Sequence, residues 1–231
     1  MEKNKTQLSQ FILVTLLYFV FYIIISPIIS GIITLLFNPY AKTNNVFVVF
    51  ILEYFVLIAT ILLLLPQFKH GFKILLKEKK KTLIVVCLGV AILYATGILT
   101  TIITLLFNAS GNSLNQSLVE SNARMYPLYM LFSTTVFAPI VEEGVFRATI
   151  QNFLRNKLSK HVSIFISAFI FGFLHVVVGL LQGNLLELIY MISYVSLGVV
   201  LGYFYERYSL SRTILIHAIY NFIGFLSIMS M

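Results

Sequence analysis

The chain has 231 residues, of which 59% are hydrophobic and 10% charged, with a mean hydropathy of +0.97 and a formal net charge of +8. Such a composition excludes a soluble globular domain, and because the basic residues sit in short stretches beside apolar runs, where they act as topology signals, it also excludes nucleic-acid binding. The chain has no Asp and no Trp, and the single Cys87 lies within an apolar run, which excludes an intrachain disulfide and a Cys-based metal cluster.

Several apolar runs reach the roughly 20 residues a helix needs to cross about 30 Å of hydrocarbon, and the short alternation of a barrel is missing. The predicted class is all-α, a polytopic membrane helix bundle of about seven transmembrane helices. The first run, Phe11 to Phe37, is too long for a signal peptide and reads as a retained helix bent near Pro27. Asn38-Pro39 and Asn44-Asn45 mark a turn, and Val46 to Leu65 makes a second span carrying Glu53, for which a hydrogen-bonded structural role is expected. Pro66 ends that span. The connector to Lys81 interleaves lysines with Phe68, Phe72 and Leu76, a pattern suited to an amphipathic segment on an anionic leaflet.

Thr82 to Phe107 is the third span, and the polar stretch from Asn108 to Arg124 reads as a loop over the outer surface. The remaining spans are Pro127 to Phe153, His161 to Leu181, Leu185 to Tyr205 and Arg212 to Ser230. Gly198 and Gly202, four apart, predict close helix packing. With the N-terminus placed in the cytoplasm, 13 of the 16 Lys and Arg residues fall inside, against Lys42 and Arg124 outside and Arg147 within the membrane. That bias predicts a cytoplasmic N-terminus in a multi-pass plasma-membrane protein.

Charge within the fourth span needs a reason, because an ionisable side chain near the bilayer centre costs about 2.5–3.5 kcal/mol on insertion scales. Glu143 and Arg147 stand at i and i+4 and can neutralise each other, whereas Glu142 points about 100° away with no partner in its own helix. Two further polar pairs interrupt later spans: Phe171-x-x-x-His175 on the fifth, and His217-x-x-x-Asn221 on the seventh. At ~1.5 Å per residue the depths of these groups overlap only loosely, so helix tilt and a kink at Pro139 have to bring them together. A carboxylate, two imidazoles and an amide at one point supply a base for water and donors for an oxyanion, the needs of amide hydrolysis. The cavity holding them is expected to open toward the cytoplasm or laterally in the inner half of the bilayer.

Glu-Glu-x-x-x-Arg, Phe-x-x-x-His and His-x-x-x-Asn, in this order on successive membrane helices, resemble the CPBP family, the CAAX-protease and bacteriocin-processing enzymes also called the Abi family of intramembrane proteases. The resemblance covers about Tyr126 to Met231. It divides the chain into N-terminal transmembrane helices with their basic connector (1–125) and a catalytic membrane core (126–231). It implies that Glu142 activates water with His175 beside it, that His217 and Asn221 hold the oxyanion, and that Glu143 and Arg147 are structural. Ala148 departs from the pattern, in which a Gly often follows the Arg, and the first half of the chain matches no named pattern.

The expected substrate is a membrane-associated peptide or protein in a bacterial plasma membrane, with roles such as peptide maturation or bacteriocin self-immunity. The alternative is a non-catalytic immunity or scaffold protein that keeps the fold. No metal is expected: His-Glu-x-x-His is absent, although Glu142, His175 and His217 could in principle ligate Zn²⁺.

Overall fold

A computed structural model of the chain describes residues 6–37, 45–109 and 111–231. The turn read at Asn38-Pro39 and Asn44, and the charges at Lys3, Lys5 and Lys42, lie outside the described residues. In chain order the helices are α1 (Leu8–Phe37), α2 (Val46–Leu63), α3 (Leu65–Lys77), α4 (Lys79–Leu106), α5 (Leu114–Met125), α6 (127–154), α7 (Lys160–Leu181), α8 (Glu187–Arg207) and α9 (Leu210–Ser230). Of these, α1, α2, α4, α7, α8 and α9 are the six long and apolar enough to cross a membrane. The chain is therefore a multi-pass, all-α membrane bundle. The fourth expected span, α6, differs from the six in being the polar centre around which they pack: every residue from Glu143 to Gln151 is buried.

Both prolines expected to disturb their helices follow π-helical turns, Leu16–Ile25 before Pro27 and Ser133–Phe137 before Pro139. The physical cause is that proline offers no N–H to the carbonyl four residues back and crowds it sterically; widening the preceding turns relieves both problems. A third π-helical stretch, Glu143–Gln151, begins directly after Glu142, and within it the Thr149 hydroxyl donates to the Gly144 carbonyl at 2.9 Å.

Close packing of α7 on α8 follows from their glycines. A Cβ at Gly172 would lie 2.8 Å from the Val195 nitrogen, and one at Gly198 would lie 3.1 Å from the Ala168 Cα, so neither position has room for a side chain. Gly198 thus serves the tight approach that its spacing from Gly202 predicts.

The lysine-rich connector forms α3, whose Phe72 and Leu76 are exposed beside Lys69, Lys73 and Lys77. Its end is tied to the bundle by Arg212 of α9, which is 1% exposed and donates through Nη2 to Glu78 Oε2 at 2.8 Å and through Nε to Thr82 Oγ1 at 3.0 Å.

One expected loop is a helix. Residues Leu114–Met125 form α5 because Ser113 caps it, its hydroxyl accepting from the Gln116 N–H at 3.2 Å. The Ser-x-x-Gln order at 113–116 is a capping-box signature that the overall polarity of the stretch obscured. Helix α5 packs through Ala123 and Val119 against Met130 of α6 and Phe225 and Ile228 of α9, over the end of the bundle opposite the lysines.

The Arg212 and Lys81 cations hold the Glu78 carboxyl below the usual carboxylate range. A group with a depressed folded-state pKa contributes stability above its unfolded value, near pH 4.3, and loses it as pH falls through the folded value. Melting temperatures of the protein and Glu78→Gln should therefore differ at neutral pH and converge on acidification below about pH 4; parallel curves down to pH 3 would show that the carboxylate contributes nothing.

Candidate active site

The site is built on α6. At its centre Glu143 and Arg147, both 0% exposed, form the expected ion pair, with Arg147 Nε 3.2 Å from Glu143 Oε2. The guanidinium is covered by rings, its Cζ 5.2 Å from the Phe171 centroid and 6.0 Å from that of Phe146. Neither Nη1 nor Nη2 has a hydrogen-bond partner among the described residues, so Glu143 carries the compensation of this buried cation.

The same glutamate does a second task. Its Oε1 lies 3.0 Å from His217 Nδ1. An ionised carboxylate only accepts, so the proton of this bond sits on Nδ1 and His217 Nε2 is the ring atom left for chemistry. Nε2 faces Glu142 Oε2 at 3.9 Å, beyond hydrogen-bond length. His217 is thus held between the two adjacent glutamates, clamped by one and confronting the other.

His175, on α7, directs Nδ1 to the Phe171 carbonyl at 2.8 Å, a bond in which a carbonyl can only accept, so its Nε2 is likewise the free ring atom. The imidazole stacks on Tyr194 of α8, ring centroids 4.6 Å apart and planes at 25°. Asn221, one turn beyond His217 on α9, donates one Nδ2 hydrogen to the Thr134 carbonyl at 2.9 Å, which fixes the amide and leaves its second hydrogen.

Glu142, His175, His217 and Asn221 all line one cavity of ≈ 560 Å³. The structure therefore brings together the four groups that sequence spacing separated in depth, while Glu143 and Arg147 stand behind them in the packed interior. The cavity does not lie where the depth estimate put it. Its wall continues along α9 to Ile228, along α6 to Met130 and onto Asn115, Gln116 and Val119 of α5, that is, toward the end opposite the lysines. The lysine-rich half is filled instead by buried Gln151, Ser163, Ser167, Arg212 and Thr213.

Other wall residues escaped sequence reasoning. Tyr22, Tyr94, Tyr194 and Tyr220 reach the cavity from α1, α4, α8 and α9, and a tyrosine in an apolar helix carries no signal of the face it occupies. Ser133 also lines it and, together with Tyr129, donates to Glu53 Oε1, both at 3.1 Å. Glu53 is thus buried and hydrogen-bonded, as expected, against the back of the cavity wall.

Fold and site define a multi-pass membrane protein whose central helix presents a carboxylate to imidazole and amide groups in an intramembrane cavity. Residues 124–223, which hold all three motifs, match the family model of the Type II CAAX prenyl endopeptidase Rce1-like proteins. The match agrees with the resemblance to the CAAX-protease family that the three motifs carry. No curated protein and no solved structure matches the chain.

The geometry separates the two glutamates by what each leaves behind. Glu143→Gln strands the Arg147 guanidinium and loosens His217, at a cost of about 3–5 kcal/mol for a broken buried pair. Glu142→Gln leaves the buried Glu143–Arg147 pair intact and should melt close to the wild type. Thermal unfolding of both variants in detergent checks this ordering, and a Glu143→Gln protein as stable as Glu142→Gln would contradict it.

Proposed function

We propose that the protein is an intramembrane endopeptidase that hydrolyses a peptide bond of a membrane-associated peptide or protein with water activated by Glu142. The observation that carries this reading is the placement of one half-buried carboxylate, free of its own helix's ion pair, in the same cavity as two imidazoles with free Nε2 atoms and an anchored amide.

In the proposed reaction a water beside Glu142 and His175 loses a proton to the Glu142 carboxylate as its oxygen attacks the carbonyl carbon. The oxyanion that forms takes the free Asn221 N–H, with His217 Nε2 as the second donor when the ring carries both protons, a charge that Glu143 balances at Nδ1. The C–N bond then breaks, and the proton held by Glu142 passes to the departing amine. His217 is held in this orientation by Glu143, whose charge is in turn shared with Arg147.

A hydrolysis of this form needs no metal ion. Among the described residues no group of three His, Cys or acidic side chains is arranged to hold one. Both His175 and His217 keep an open Nε2, and that of His217 already confronts Glu142 across 3.9 Å.

The cavity wall is largely apolar and aromatic, from Leu93, Leu197, Leu201, Met130 and the tyrosines, which suits an apolar peptide segment entering from the bilayer. We place the protein in a bacterial plasma membrane, with peptide maturation or self-immunity to a bacteriocin as the roles that fit such a substrate.

The test is mass spectrometry of peptides released by the purified protein in lipid bilayers. Glu142→Gln should lower the cleavage rate by about 10²–10⁴, and Asn221→Ala by about 10² or more, both without loss of folded protein. Cleavage should persist after treatment with a zinc chelator. A folded wild-type protein that cleaves no offered membrane peptide, or cleavage unchanged in Glu142→Gln, would leave the immunity or scaffold reading in its place.

A further inference from the structure

The Tyr194 side chain belongs to none of the three motifs, yet it touches two things at once. Its ring lies against the His175 imidazole, nearly parallel at 4.6 Å. Its hydroxyl is 2.7 Å from Ser113 Oγ and accepts from Asn115 Nδ2 at 3.3 Å. Ser113 is the residue that caps α5, and Asn115 belongs to the first turn of α5 and to the cavity wall. The start of α5 is held by a further group from α8: Glu187, 0% exposed, accepts the Leu114 N–H through Oε1 at 2.8 Å. A Cβ at Gly179 would come within 2.6 Å of the Glu187 carboxyl carbon, so α7 leaves this carboxylate just enough space to reach the helix start.

Consider what fixes His175 without Tyr194. The bond from Nδ1 to the Phe171 carbonyl selects the tautomer, and Phe171 touches one side of the imidazole, its centroid 4.4 Å away. That single bond permits the ring to rock about it, and the rocking moves Nε2, the ring nitrogen the bond leaves open, in a residue that lines the cavity. The tyrosine ring adds a second, nearly parallel contact. Because its position is itself set by the hydroxyl bonds to α5, the orientation of His175 depends on whether α5 is seated over the cavity.

We infer that Tyr194 is a positioning residue for His175, and that through its hydroxyl it makes alignment of the imidazole conditional on the docking of α5 onto the cavity. The inference rests on the reading of His175 as part of a peptidase site for its kinetic consequence, but not for the coupling itself. With α5 seated, Nε2 is held toward the substrate carbonyl and the attacking water; with the hydroxyl bonds broken, α8 still holds the α5 start through Glu187, but the imidazole is free to turn.

Tyr194→Phe retains the ring and removes the hydroxyl bonds, and it is the variant least able to disturb folding. Two measurements do not require turnover. In ¹⁵N-histidine spectra of protein in lipid nanodiscs, with the His175 signals identified by their loss in His175→Gln, Tyr194→Phe should broaden or average the sharp Nδ1–H signals of the wild type. On a Cys87→Ser background, the thiol of Gln116→Cys, in the cavity wall, should react about tenfold faster with a water-soluble maleimide when Tyr194→Phe is added. In peptide cleavage the same variant should lower kcat about tenfold with KM changed less than threefold and the melting temperature nearly kept.

Unchanged His175 signals in Tyr194→Phe overturn the inference, and so does an unchanged labelling rate at position 116. A fall in melting temperature with His175 signals and kcat intact assigns Tyr194 to packing alone and also overturns it. If the wild type cleaves no peptide, the peptidase reading fails, whereas the spectra and labelling rates still decide the coupling.

Discussion

A buried guanidinium with one carboxylate to balance it is the constraint on which this structure depends. Arg147 has no access to solvent and its terminal nitrogens meet ring faces instead of oxygens, so the charge of Glu143 cannot be moved elsewhere. That fixes the Glu143 carboxylate in space, and its second oxygen then fixes His217 by a 3.0 Å bond. Removing a buried ion pair altogether is often neutral for stability, but keeping half of it is not. The pair here is consequently less a source of stability than a rigid mount, from which the orientation of the imidazole and the isolation of Glu142 both follow.

The backbone of α6 shows how such a mount is placed beside a cavity. An unbroken α-helix of apolar residues would turn its polar groups toward lipid as readily as toward protein. In α6 the π-helical turns on both sides of Pro139 and Glu142 change the phase of the helix, so that Ser133, Thr134 and Glu142 face the cavity while every residue from Glu143 to Gln151 is enclosed. π-helical turns recur at functional sites because the inserted residue shifts which side chains share a face. The helices around α6 supply the enclosure: Tyr18 and Phe146 meet edge to face at 5.6 Å, and Thr6 donates to the Ala148 carbonyl at 2.7 Å. Contacts of this kind tie the stretch before residue 125 to the motif-bearing half.

The chemistry was legible in the sequence wherever a local spacing carried it. Glu143 and Arg147 at i+4, and His217 and Asn221 at i+4, are statements about one helix face, and such faces survive folding even through widened turns. The bond between His217 and Glu143 links positions 74 apart, which no spacing encodes. Helix α5 was hidden for a different reason: its polar composition resembles a loop, while the Ser113-to-Gln116 cap that creates it occupies only four residues. Distance along each helix does not encode the side toward which the cavity extends. Side-chain volume decides that direction, and the large buried groups Gln151 and Arg212 occupy the lysine-rich half.

The second buried carboxylate, Glu53, clarifies what distinguishes a site from a polar interior. Glu53 and Glu142 are both carboxylates on the hydrophobic interior of a membrane bundle, and both adjoin the same cavity wall. Glu53 is 3% exposed and receives two hydroxyl bonds on one oxygen, from Tyr129 and Ser133, and its other oxygen is buried as well. Glu142 retains 16% exposure of its side chain and faces an imidazole nitrogen that is too far to satisfy it. Glu142 thus stands in the cavity with carboxylate surface that Glu53, behind the wall, lacks.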